Sequence, residues 1–169
     1  PSDDSMSSIP PKTAARRRPV SVLAVKLWEA AEGLDHGLER PSEMLELLVS
    51  AVAKGEQPTE PWQRLHDAAV AHDKVADLAF AYESVLGDKR IKLMPPEQQA
   101  YVQLRAARFF SEIFGDRDGA AAAAERALTV VPGHAEAFAM LEALLSHEDG
   151  AARLAQHYVD ASGREADPE

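Results

Sequence analysis

The stretch YVQLRAARFFSEIFGDRDGAAAAAERALTVVPGH, residues 101–134, decides the fold. Tyr101, Leu104, Ala107 and the apolar residues between Phe110 and Phe114 recur at three- and four-residue steps. That is the period of a helix with one buried face. Gly115-Asp116-Arg117-Asp118-Gly119 then reads as a tight connection. A second helix is predicted over 120–131, and Pro132-Gly133 stops it. Its run of alanines, 120–124, suits helices packed closely together. The unit is therefore helix, turn, helix in 34 residues.

The same interval recurs on both sides. Trp28 and Trp62 lie 34 residues apart, as do Met44 and Leu78, Leu48 and Tyr82, and Val52 and Leu86. Toward the C-terminus Leu104 and Phe138 keep it, and so do Ala124 and Tyr158, and Ala127 and Ala161. A helix–turn–helix period of this length resembles the tetratricopeptide repeat, TPR. Residues 101–134 match its pattern best, with Leu104 at repeat position 4, Ala107 at 7, Gly115 at 15, Ala120 at 20, Ala127 at 27 and Pro132 at 32. Residues 25–58, 59–92 and 135–168 are more degenerate copies, and about eight residues are inserted between the second and third, at 88–96. The resemblance implies a right-handed all-α solenoid of about four antiparallel hairpins, in which large side chains fill the gaps between helices and neighbours must stack.

The remaining segments agree in kind. Val20, Leu23, Leu27, Ala30, Ala31 and Leu34 share one helical face. Pro41 sits where a first helical turn tolerates it, ahead of Met44, Leu45, Leu48 and Val52. Thr59 is expected as the cap before Glu60-Pro61-Trp62. A helix from Val75 ends at Gly87, and the insertion 88–96 reads as a longer connection. Pro96-Glu97-Gln98-Gln99 opens the next helix, and 135–146 and 150–161 complete the series. The expectation is about eight helices of roughly 11–16 residues and no sheet. Trp62 and Tyr82, at repeat positions 4 and 24, are expected to be buried inside one hairpin.

Of the 169 residues, 46% are apolar, ample for a core, while no apolar run reaches the length of a membrane span. There is no cysteine, which excludes disulfides, thiolate metal sites and cysteine nucleophiles. The formal charge of −10 is unevenly spread. Residues 1–20 carry a net +2 through Lys12, Arg16, Arg17 and Arg18, and the rest carries −12. Residues 1–19 read as a disordered basic arm, and 20–168 as the helical repeat domain. The acidic body argues against nucleic acid as a partner. The arm has no apolar stretch of the kind a secretion leader needs, and the expected location is cytoplasmic. An alanine- and arginine-rich composition without asparagine hints at a bacterial source.

No arrangement of side chains suggests chemistry. The six histidines form no metal-binding pair, and each is expected on the surface or in a turn. Asp116 and Asp118 lack the further carboxylates of a calcium loop. No catalytic residue, metal or cofactor is therefore expected. The TPR resemblance places a ligand along the concave surface lined by each first helix. Positions near 2, 5, 9 and 12 would face it: Lys26 and Glu29, then Glu60, Gln63 and Asp67, then Val102, Arg105, Phe109 and Glu112, then Glu136, Ala139 and Ala143. Gln63, Asp67, Arg105, Phe109 and Glu112 are the candidate partner-binding residues, with Arg105 and Phe109 the most binding-like pair. The expected function is non-enzymatic, a protein–protein interaction scaffold or adaptor for another protein or peptide, within a longer polypeptide. The alternatives are a regulatory region of a multidomain enzyme and a half-TPR module in RNA processing.

Overall fold

The computed structural model describes residues 40–146 and 148–165, together with Lys26, Glu29 and Gly33. The leading helix expected of the first repeat, including Trp28, and the arm expected over 1–19 fall on residues that are mostly outside those described. From Arg40 onward the described residues are all-α. In order, α1 is Pro41–Ala53, α2 Thr59–Ala71, α3 Val75–Leu86, α4 Lys89–Leu93, α5 Pro96–Phe109, α6 Arg117–Val130, α7 Ala135–Leu144 and α8 Glu148–Glu165. A π-helical turn, Phe110–Phe114, continues α5. No strand occurs among the described residues.

The helix signals work as polymer chemistry dictates. Pro41 and Pro96 stand in the first turns of α1 and α5, where a missing N–H removes no intrahelical bond. Asp116 caps α6, its Oδ1 accepting from the Gly119 N–H at 2.9 Å. A Cβ on Gly119 would sit 2.2 Å from the Asp116 carboxylate, so this cap requires glycine. Gly115 turns the chain at φ +80°, a conformation that favours glycine.

One hydrophobic core runs through the molecule, and α1 packs on α2 and α3 at one end of it. From α1, Leu45, Leu48 and Val52 enter this core; Trp62, Leu65, Leu78 and Tyr82 join them from the α2–α3 hairpin. Trp62 and Tyr82 are both fully enclosed, as repeat positions 4 and 24 predict. Further on, α5 lies along α6, and α6 along α7. Ala100, Ala106 and Ala107 of α5 and Ala120, Ala121, Ala123, Ala124 and Ala127 of α6 are all buried where these two helices pack. Side chains this small let the two backbones run close together.

Several boundaries differ from the sequence reading. Thr59 is not the cap of α2. It lies inside the first turn behind Pro58, and its hydroxyl pairs with that of Tyr101 at 3.2 Å. The insertion 88–96 is not a plain connection, because it contains α4. Ile91 and Met94, three residues apart, bury one face of it among polar neighbours. Asp88 caps it, and Arg90 bridges it to Glu46 of α1 at 2.9 Å. Helix α6 begins at Arg117, three residues before the alanine run, because Asp116 supplies a cap there. Helix α7 stops at Leu144, and α8 runs beyond both limits of the predicted 150–161 segment.

Candidate functional site

A cluster of rings joined by hydrogen bonds lies where α2, α3 and α5 meet. Helix α2 carries Trp62 and His66, four residues apart and so on one face. Both reach Tyr82 of α3. Trp62 Nε1 donates to the Tyr82 hydroxyl at 2.5 Å, and His66 Nε2 lies 2.6 Å from the same oxygen. Because that oxygen accepts from the indole, its own proton is free to be donated to His66 Nε2. This pairing needs a neutral imidazole carrying its proton on Nδ1. Burial, helped by the positive charge of Arg105 and opposed by Asp67, pushes His66 down to about 4. Burial pushes the Tyr82 phenol well above its ordinary value, against the indole hydrogen bond and Arg105. His66 is thus a satisfied core histidine, which corrects the expectation of a surface or turn position. His72, at the end of α2, is exposed.

Phe109 closes this region from α5. Its ring lies 5.3 Å from that of His66 and 5.0 Å from that of Tyr82, and it is fully buried. The candidate binding role for Phe109 is therefore wrong in physical terms, since no ligand can touch it. The helical step that aligned it with Arg105 turns it into the core. Arg105 itself is half-buried, with its guanidinium over the Tyr101 ring at 4.8 Å. Gln63 and Asp67 are exposed on α2 and joined by a 3.0 Å hydrogen bond from the Gln63 amide. Arg105 and Asp67 thus border one face above the buried His66. Of the other positions predicted to face a ligand, Val102 is buried in the core.

Glu112 lies elsewhere. It is exposed on the π-helical turn and lines a groove of about 560 Å³ between that turn and α7. Glu136, Ala139 and Ala143 of α7, all predicted to face a ligand, line the same groove. The small alanines create its depth, and Met140 and Leu144 give it an apolar floor. Two arginines frame it that sequence reasoning missed. Arg108 Nη2 donates to Glu136 Oε1 at 2.7 Å, and Arg117 Nη2 donates to the Leu144 carbonyl at 3.0 Å. The first is a half-exposed ion pair across two helices; the second caps the end of α7. The signal for Arg108 was its place three residues after Arg105, one helical turn further along. The signal for Arg117 was hidden, since a residue in a predicted turn has no helical phase to read.

This groove offers shape, apolar floor and charges of both signs. No group of three or more metal-capable side chains occurs among the described residues. No helix among them is long and apolar enough to cross a membrane. Compared with known proteins, the chain matches no family model, no curated protein and no solved structure.

Proposed function

We propose that this chain is a non-enzymatic interaction module, a cytoplasmic scaffold or adaptor that holds a peptide segment of another protein. In this reading its hairpins stack as a right-handed TPR-like solenoid. One observation supports it most: the groove between the π-helical turn and α7, where the first helices of two consecutive repeat units meet. Its volume of about 560 Å³ suits several side chains of a bound segment. Its mixture of Arg108, Glu112, Arg117 and Glu136 around Met140 offers orientation as well as burial. Of the residues named from sequence, Glu112 serves this groove directly, and Gln63, Asp67 and Arg105 extend the surface along the preceding helices.

The test is a displayed random-peptide selection on the full chain, followed by binding to the Ala143→Arg variant. Ala143 is exposed, so the variant fills the groove without disturbing the core. Selected peptides should lose at least about tenfold in affinity, equal to about 1.4 kcal/mol, at unchanged melting temperature. Peptides that bind both proteins alike would show that the groove is not the binding surface.

A further inference from the structure

A second groove lies on α1 and α3, away from the one just described. It measures about 360 Å³ and is lined by Pro41, Glu46, Asp77, Phe80, Ala81 and Val85, among others. Phe80 projects into it and is 74% exposed. Leaving a phenylalanine this open forgoes the burial of most of its ring, which a packed neighbour would recover.

The charge around it is one-sided on the helices themselves. Helices α1 and α3 carry Glu43, Glu46, Asp77 and Glu83 and no lysine or arginine. Among the described residues, basic groups reach them from the flanks. Arg40 pairs with Glu43 at 2.9 Å, Arg90 with Glu46 at 2.9 Å, and Lys74 with Asp77 at 3.4 Å. These pairs are exposed and therefore weak. Glu83, one turn along α3 from Phe80, is exposed, and no ion pair joins it to a basic group among the described residues. An aromatic face beside carboxylates is a surface for a guanidinium, which the ring attracts through its quadrupole and the carboxylates through charge.

The chain contains such a group. Its densest basic run, Lys12 with Arg16, Arg17 and Arg18, precedes Arg40, which stands on the rim of this groove. The intervening residues 19–39 span roughly 30 Å as helix and about 70 Å fully extended. Either limit exceeds the length of α3, so reach does not restrict the contact. We propose that residues 12–18 dock on the α1–α3 groove, with an arginine over Phe80 and its neighbours facing Glu83 and Asp77. The attachment is intramolecular, so a weak contact is made effective by local concentration. This proposal is independent of the peptide groove at α7.

The test is trypsin cleavage of the full chain after Arg16 and Arg17, followed by intact mass. Docked arginines are shielded from the protease. Phe80→Ala, an exposed change that leaves the core intact, should speed this cleavage about two- to fivefold. Raising sodium chloride from roughly 0.05 to 0.5 M should speed it in the native chain and not in Phe80→Ala, with a free 10–20 peptide as the protease control. Equal rates in the two proteins would overturn the proposal. A labelled peptide of residues 10–20 decides the source of the basic segment. It should bind the variant with all three arginines replaced by alanine more tightly than the native chain, whose own arm competes. Equal binding to both would mean that the groove takes a basic segment from elsewhere, and the intramolecular docking would be wrong.

Discussion

The α2–α3–α5 junction and the α5–α6 hairpin solve the same packing problem by opposite means. At the junction the gap between helices is wide, and rings fill it: Trp62, His66, Tyr82 and Phe109, with two hydrogen bonds converging on one phenolic oxygen. Along α5–α6 the gap is narrow, and alanines leave the backbones near each other. The first solution depends on a few large, directional contacts. The second depends on the absence of bulk, spread over many residues. A change at the junction should therefore be severe and local. A change in the hairpin should be milder for loss of atoms and harmful for their gain.

The comparison breaks most sharply at Trp62. Trp62→Ala leaves a ring-sized cavity and removes the indole donor to Tyr82, and should cost about 3–5 kcal/mol in denaturant unfolding. A loss below about 1 kcal/mol would mean that the rings do not hold the junction together. Acid probes the same place. His66 stays neutral in the folded chain down to about 4, while an unfolded histidine takes its proton near 6.5. In that window the unfolded state binds more protons, so stability falls as pH is lowered through it. The expected loss is about 3 kcal/mol in total, with no contribution from this group above neutrality. A His66→Phe variant should lose that slope, and an unchanged slope would place its origin elsewhere.

The hairpin is tested by addition. Ala124→Leu inserts three carbons at a fully buried α6 position and should cost about 1–3 kcal/mol, whereas Ala124→Gly should cost only about 1 kcal/mol through backbone freedom. Reversal of that order would show that the α5–α6 gap has room to spare. The smallest effect belongs to Arg105. Removing its guanidinium from Tyr101 by Arg105→Ala should lower stability by about 0.5–1 kcal/mol. Thermal unfolding checks this, and an unfolded variant would assign Arg105 a structural role.

These contrasts also show what the sequence makes legible. The 34-residue interval identified Trp62 and Tyr82 as core and located most of the helices, because period and spacing survive averaging over a whole segment. What it could not supply was the phase at element ends. Thr59 and Pro58 differ by one residue in the role of cap, and the Thr59 hydroxyl, turned to Tyr101, caps nothing. The π-helical turn adds a residue to the helical phase after Phe109, a shift that no alternation of apolar residues announces. For the candidate site, the positions on α7 were legible because alanines at a fixed register leave space. Phe109 was misread because a repeat register fixes the side of a helix only to within about one residue in four, or about 100°. His66 was missed for another reason. A histidine is buried only when a partner receives it, and its partner lies sixteen residues away on another helix.

The rings of the junction also give the molecule a built-in optical reporter. Trp62 lies edge-on to Tyr101 at 5.9 Å and shares a hydrogen bond with Tyr82. At such separations an excited tyrosine passes its energy to indole before it can emit. Tyr158, stacked instead on Phe138 between α7 and α8, has no indole beside it among the described residues. With Trp28 replaced by phenylalanine, excitation of the tyrosines would make indole emission follow the junction and residual tyrosine emission follow α8. A single cuvette would then show whether the two ends of the helical array melt together or one after the other.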